Sequence, residues 1–508
     1  MIPIYRQSDI KAFDESLAAQ GLLEEAIARA GYSVFALASE LMGGLYGKRV
    51  TVIFGPGNNG RDALVAAGRL RRAGAVVNEV RYGSEEYFDE ASYSEVDLVI
   101  DGCFGVGLSR AFEPPPIGPD TEVLAVDVPS GLDGDHGSVL GSAVHANATL
   151  CLSGLKLGPL ISQGPELCGK LYFSELGLGD LGLPGSREFL IEDDDMALLA
   201  FGRKRSDHKW SHSVAVIAGS PGMDGAAHLV CTSGYYVGAG IIHLYTNTAG
   251  HTGDYGVETV VHSVALSDLD EDGKQEFFHG LADRFKALVI GPGLGLGEEV
   301  VGIVKAAIES GLRTVIDADA ISAIPSVDWL SRLIGADHPG IILTPHAGEL
   351  KGLLERSGGT FFSDYLNKDL CSFAREFASE TGAALLVKGG PTVVASPEGS
   401  CYLTTAPNAS LAVAGSGDVL SGMIGAALSY QGDTAELAAL TAHLHGLAGR
   451  SLSKGPSGEL ARRARKILLE LEDSPGPALE RNFFKPTPLD GNLVASPYLL
   501  KCRSRRLV

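Results

Sequence analysis

The segment RVTVIFGPGNNGRDALVAAGRLRRAG, residues 49–74, changes its hydrophobic rhythm halfway along. Residues 49–55 form a short β-branched run, the pattern of a buried strand. RDALVAAGRLRRAG carries apolar positions at helical spacing and stops at Gly74. Between them lies GPGNNGRD, residues 55–62, a glycine turn. Strand, tight turn and helix in that order are the repeating unit of a mostly parallel α/β sheet. The rhythm extends in both directions. Residues 8–46 read as helices, and AVVNEVRYG, VDLVIDGCFG, EVLAVDVPSG, ATLCLSGLK and GKLYFSELG read as further strands, closing a domain near residue 180.

The stretch GLGDLGLPGSREFLIEDDDMALLAFGRKRSDHK, residues 177–209, breaks the pattern: it is glycine-rich, then acidic, then basic. A domain boundary is expected there. A second series begins at SVAVIAGS (213–220) and continues through AGIIHLYT, ALVIGPG, RTVIDADA, GIILTPH, AALLVKGG and PTVVASP. Helices at 418–430 and 434–452 end it, so a second and larger parallel α/β domain is expected. Beyond about residue 470 proline, glycine and terminal arginines suggest a loose tail.

Bulk properties agree with two compact domains in a chain of 508 residues, 45% hydrophobic with 66 glycines. The net charge of −21 makes nucleic acid and anionic membranes poor partners. Seven cysteines without C-x-x-C pairing argue against structural zinc and against a disulfide scaffold. With no apolar leader-like start and no long charge-free apolar stretch, a cytoplasmic location is the expectation.

Chemistry concentrates at the turns. GPGNNGRD satisfies G-x-G-x-x-G after a strand and before a helix, and Glu79 follows near the spacing of a ribose-binding acid. A nicotinamide dehydrogenase therefore has to be weighed. Glu79 falls inside its strand rather than at the tip, and Asn58, Asn59 and Asp62 add side-chain polar groups where a dinucleotide turn works mainly through backbone. The plain alternative is a turn-and-cap cluster, with Asn and Asp satisfying the helix start. Asp101 and Asp127 each end a strand, and ligands of open parallel sheets bind beyond such ends. Ser130 adds an oxygen, and a set without histidine or cysteine suits a hard monovalent cation over a soft metal. In the second domain GPGLG (291–295), TPHAGEL (344–350), VKGGPT (387–392) and LAVAGSGDVLSG (411–422) follow strands or open helices, and no P-loop signature is present. Asp418 stands where Gly-Ser-Gly meets an apolar helix. Such a helix mouth binds anions, and an acid there also caps.

Taken together, GPGNNGRD, DGCFGVGL, VDVPSG and LKLG resemble the NAD(P)H-hydrate epimerase domain of YjeF N-terminal type. SHSVAVIAGSPGMDGAA, GPGLG, VIDADA, TPHAGEL, VKGGPT and NASLAVAGSGDVLSG resemble the ADP-dependent NAD(P)H-hydrate dehydratases. Their order is similar to that of the fused bacterial proteins carrying both. The resemblance implies an α/β protein of two domains: an N-terminal Rossmann-like three-layer sandwich over 1–185 and a C-terminal ribokinase-like domain over 190–470. Residues 471–508 remain a tail of unassigned role.

It further implies repair of NADHX and NADPHX, the hydrated coenzymes. The R and S hydrates would interconvert in the first domain. The S hydrate would be dehydrated in the second, with ADP converted to AMP and phosphate. Epimerase substrate contacts would fall on Asn58, Asn59, Gly60, Arg61 and Asp62, on Gly105, Val106, Gly107, Leu108, Ser109, Arg110 and Ala111, and on Asp127, the acid/base residue. Potassium would fall on Asn59, Asp101 and Ser130. Dehydratase substrate contacts would fall on Ala226, Gly293, His346 and Asp418, with Asp418 the base. Lys388, Gly389, Gly390, Pro391, Thr392 and Gly417 would hold the nucleotide, and Glu349 would help hold Mg²⁺ through water. A homo-oligomer is expected.

Two departures stand out. The usual NNGGDG loop reads NNGRDA, so Arg61 and Ala63 replace glycines, and HKWSHSV (208–214) replaces an HKG-type loop. Competing readings are a ribokinase-like vitamin or sugar kinase fused to a nucleotide-binding scaffold, and a pure binding module.

Overall fold

The computed structural model describes residues 1–177, 185–199, 204–247, 255–335, 340–358, 369–452 and 455–473. They fall into two compact units, Ile2–Ser186 and the chain from Arg187 onward. The expected tail lies outside the described residues from 474 on. Among the described residues no helix is long and apolar enough to cross a membrane.

The first unit is built on six parallel strands in the order Val76–Arg81, Arg49–Phe54, Leu98–Gly102, Val123–Val126, Ala148–Leu152 and Lys170–Ser174. Val50, Val52, Leu98, Ile100, Leu124, Val126 and Leu150 face one way. They pack with buried side chains of the helices Gln7–Ala19, Leu23–Met42 and Asn58–Arg72. Ile53, Val99, Val123 and Ala125 face the other way, against Tyr87, Tyr93 and Phe112. Both faces are covered, which explains the near-continuous apolar runs of the central strands. The third layer is made of loops bearing aromatic rings rather than long helices.

The glycine turn is tight for a steric reason. A Cβ on Gly55 would collide with the Cys103 carbonyl, and one on Gly60 with the Gly55 carbonyl. These contacts draw the helix mouth at Asn58 against the ends of two neighbouring strands. Gly60→Ala is expected to destabilise this unit by about 1–3 kcal/mol or more through overpacking, read as a lower unfolding midpoint. An unchanged midpoint would show that the turn has slack. Glu79 sits mid-strand and pairs with Arg71 at 2.5 Å. Its carboxylate is thus engaged away from a strand tip, which removes the ribose acid that a dehydrogenase reading needs.

In the second unit the strands run in the order Val260–Ser263, Ile241–Thr246, Ser213–Ile217, Ala287–Ile290, Arg313–Ile316, Ile341–Leu343 and Ala384–Val387, all parallel. The expectation of a parallel sheet fails at its far side. Thr392–Ala395 and Cys401–Thr404 are antiparallel, and Glu188–Leu190, from the stretch read as an interruption, pairs with the latter. The link at 388–391 is too short for a crossover, which takes a dozen residues or more, so it can only turn a hairpin. Val214, Val216, Leu244, Val289 and Val315 form one core with the helices Asp224–Val237, Ser416–Leu428 and Thr434–Arg450. Leu460, Ala461, Ala464 and Leu468 of a further helix, Gly458–Asp473, join it.

Candidate active sites

In the first unit the strand ends open onto a cleft of about 370 Å³. Asn58, Asn59 and Asp62 line it from the glycine turn, Gly105, Val106, Gly107 and Leu108 from the loop after Asp101, and Asp127 from the next strand end. Asp127 has φ +70°, a left-handed conformation strained for a non-glycine residue and often found at functional sites. Its Oδ1 receives the ammonium of Lys156, only 1% exposed, and the Leu152 amide at 3.3 Å. Lys156 follows from a short strand, Leu155–Lys156, that pairs in parallel with Ile2–Tyr5. Oδ2 of Asp127 faces the bare side of Gly105, where a Cβ would stand 3.1 Å away.

Burial, then the Asp127 and Asp14 carboxylates, hold the Asp62 carboxyl well above its usual range, against the opposing pull of Arg61 and Lys156. Asp62 Oδ1 is buried without a partner, as are both side-chain polar atoms of Asn59. Orphaned buried polar atoms are rare and costly unless a ligand, ion or water completes them.

Asp101 and Ser130 lie at the floor. Asp101 Oδ1 accepts from the Ser130 hydroxyl at 2.7 Å and the Cys103 amide at 3.2 Å, and Oδ2 accepts from the Ser130 amide at 2.8 Å. Asn59 lies above them: a Cβ on Gly102 would stand 3.2 Å from its carbonyl oxygen. Other expected residues sit elsewhere. Gly60 is packed under the turn. Arg61 points away to Glu24, at 2.5 and 2.7 Å, because its helix position turns it outward. Ser109, Arg110 and Ala111 are exposed beyond the cleft wall, and Arg110 stacks over Phe104 at 5.8 Å. Ala63 is fully buried against Gly102, so neither departure from the glycine pattern enters the cleft.

The second unit holds a cavity of about 650 Å³, lined by His346, Lys388, Gly389, Gly390, Thr392, Ser416 and Gly417 on its polar side. Leu411, Val413, Leu420 and Ala442 supply an apolar wall. Few polar groups converging on an apolar pocket of this size match a nucleotide-scale ligand. Gly415 caps the helix Ser416–Leu428 with φ +83°; the Ser416 amide donates to the Val413 carbonyl at 3.3 Å, and the Gly417 and Asp418 amides that follow belong to the turn where a helix N-terminus meets an anion. Asp418 sits in that turn. Burial first, then the Asp317 carboxylate, raise its carboxyl to about 6, with Lys388 opposing and Asp319 and Glu349 adding. Lys388 in turn binds Asp317 Oδ1 at 2.6 Å, and Ser421 donates to Asp317 Oδ2.

His346 caps the helix Ala347–Ser357, its Nδ1 accepting from Gly348 and Glu349 amides at 3.0 and 3.2 Å, so its Nε2 is the nitrogen that carries hydrogen. Gly293 and Ala226 form a separate contact, a Gly293 Cβ lying 3.1 Å from that of Ala226, and Asp319 accepts from the Gly295 amide at 2.9 Å. Pro391 is not part of the cavity wall. Sequence reasoning left out Lys156, Asp14, Asp317, Asp319 and Ser421. The acids of VIDADA and the lysine of LKLG were visible there, but as parts of loops without partners.

A family model described as NAD(P)H-hydrate dehydratase matches residues 214–469, and one described as YjeF-related protein N-terminus matches residues 23–92 and 77–158. The bifunctional NAD(P)H-hydrate repair enzyme of Moorella thermoacetica is 30% identical over 477 residues, covering 83% of this chain and 86% of that protein. The enzyme of the same name from Thermofilum pendens is 32% identical over 491 residues, covering 88% and 91%. Among solved structures, the ADP/ATP-dependent NAD(P)H-hydrate dehydratase of Bacillus subtilis co-crystallised with ATP/Mg²⁺ is similar at a TM-score of 0.46 and 24% identity, over 56% of this chain and 98% of that one.

Proposed function

The chain belongs to the family of bifunctional NAD(P)H-hydrate repair enzymes, and we propose that its two cavities divide the two reactions between them. The function is epimerisation of hydrated NAD(P)H together with its dehydration back to the coenzyme. The observation that carries the division is a cavity in each unit with an acid beside it: buried Asp127 lines the first, and half-buried Asp418 adjoins Gly417 of the second.

In the first cleft the hydrate lies across Asn58–Asp62 and the loop from Gly105, with Asp127 as acid and base. The ring hydroxyl takes a proton and leaves as water while the ring nitrogen's electron pair forms a C=N bond. Water then adds to the opposite face and gives up its proton. Asp62, whose carboxyl is pushed well above its usual range by burial and the Asp127 carboxylate, lines the same cleft. Asn59, Asp101 and Ser130 are assigned to potassium. Oxygen donors without histidine or cysteine fit that ion, as does the orphaned Asn59 side chain. A bound potassium ion would offset the buried negative charge of Asp101.

In the second cavity Lys388, Gly389, Gly390, Thr392 and Gly417 hold ADP. The S hydrate extends past His346 towards Gly293 and Ala226. Asp418 takes the proton of the hydrate's hydroxyl as that oxygen attacks the terminal phosphorus, and AMP departs. The phosphorylated oxygen then leaves as phosphate, loss of the neighbouring ring proton restores the double bond, and NAD(P)H is released. Among the described residues no group of three His, Cys, Asp or Glu side chains is placed to hold a metal ion. Mg²⁺ would therefore ride mainly on the nucleotide phosphates, with Glu349 reaching it through water. A cytoplasmic location is supported by the buried, unpaired state of the described cysteines.

Asp418 must be ionised to accept a proton. With its carboxyl raised to about 6, dehydration should rise as pH passes up through about 6 and fall below it. The pH profile of kcat/KM checks this, and a rate flat from pH 5 to 8 would remove Asp418 as the base. The function itself is tested by giving the chain separated R and S hydrates with and without ADP. Epimers should interconvert without ADP, and dihydronicotinamide absorbance should return from both epimers only with it. Recovery from the S hydrate alone would leave the first cleft without its assigned reaction.

A further inference from the structure

His445 has no role in the scheme above, yet it is 4% exposed and lines the second cavity. It sits on the helix Thr434–Arg450, whose place is fixed closely. A Cβ on the next residue, Gly446, would stand 2.5 Å from the Ala406 carbonyl carbon, and Asn408 donates to the Gly446 carbonyl at 3.1 Å. The imidazole therefore cannot drift relative to the cavity wall. Its Nε2 lies 3.3 Å from the hydroxyl of Ser416, the first residue of the anion-facing helix.

Two arrangements of protons satisfy that distance. If Nε2 accepts, the Ser416 hydroxyl spends its hydrogen on the ring and shows lone pairs to the cavity, which repels an anion. If Nε2 donates, the hydroxyl hydrogen is free to point at the ligand. Only the second suits a phosphate, because it alone leaves the Ser416 hydroxyl hydrogen free for the anion. Burial and the Lys388 ammonium lower the ring to about 4, so it is neutral at physiological pH and bears one hydrogen only.

We propose that His445 is a positioning residue: its Nε2–H donates to Ser416 Oγ and turns the Ser416 hydroxyl into a donor aimed at the phosphates of the bound nucleotide. This rests on the reading of the cavity as the ADP site. The Ser416 hydroxyl then joins the Gly417 and Asp418 amides and Lys388 in one cradle. A hydroxyl fixed in the donor sense beforehand loses no orientational freedom when the phosphate arrives.

The test uses the full-length chain with ADP as the probe. His445→Leu fills the apolar wall and removes the donor. It should weaken ADP binding about tenfold, the scale of one hydrogen bond to a charged group, and raise KM for ADP more than it lowers kcat. His445→Gln places an amide N–H near Nε2 and should restore most of the affinity. Ser416→Ala should cost as much as His445→Leu, and the double variant little more than either. Additive losses, or a His445→Leu chain that binds ADP as wild type does, would overturn the proposal.

The wild-type protein supplies a readout that needs no folded variant. The ¹⁵N signals of the His445 ring should report a neutral Nε2–H tautomer near pH 7. A Nδ1–H tautomer or an imidazolium there would refute it. A wild-type chain that binds no ADP overturns the nucleotide reading itself, and the assignment falls with it.

Discussion

An Asp418→Asn chain is expected to fold, bind ADP near wild-type affinity and lose dehydration by about 10²–10⁴-fold, the usual range for removing a general base. The amide has the shape of the carboxylate, so the first turn of Ser416–Leu428 should survive. The nucleotide contacts at Lys388–Thr392 lie on another loop and are untouched. What disappears is the one group in the turn that can take a proton. Burial and the Asp317 carboxylate have raised its carboxyl to about 6, where a base is ionised at neutral pH yet still basic enough to work. Single-turnover dehydration of the S hydrate with saturating ADP is the measurement. A variant that turns over at the wild-type rate would leave Asp418 as a helix cap and nothing more.

Asp127→Asn should abolish hydrate epimerisation, again by about 10²–10⁴-fold, while ADP-dependent dehydration of the S hydrate continues. The two acids belong to separate compact units, so loss of one should not reach the other. One complication is physical. Lys156 is 1% exposed and has Asp127 as its charged partner, so the single change leaves a buried ammonium uncompensated. Pairing Asp127→Asn with Lys156→Met removes both charges together and should recover stability without recovering epimerisation. Chiral chromatography of the two hydrates over time, beside thermal unfolding, separates these effects. If a stably folded Asp127→Asn chain lost both activities, the assignment of one reaction to each unit would be wrong.

The glycine turn at 55–62 and its repeats carried the architecture because a buried parallel strand and an amphipathic helix leave different periods in the chain. Sequence also marked the chemistry-bearing loops, since a glycine-rich turn between strand and helix and an acid at a strand end are local features. It placed Asp101, Asp127, Lys388 and Asp418 without knowledge of any contact. It misread the far side of the second sheet, where the antiparallel hairpin Thr392–Thr404 has the same apolar alternation as a parallel strand and only the short connector tells them apart.

What sequence could not contain is which groups meet. Lys156 reaches Asp127 across 29 residues, and Lys388 reaches Asp317 across 71. Ser421 reaches the same aspartate across 104. Arg61 looked like a residue of the cleft from its place in the loop, yet the helix turns it out to Glu24, while Asp62 beside it turns in. Whether a carboxyl is a base, a proton store or one half of an ion pair depends on burial and neighbouring charge, which act through space and not along the chain. Local pattern thus determined the elements and their order. Packing alone decided the upward shift of the Asp62 and Asp418 carboxyls, the partner of Asp127 and the direction of Arg61.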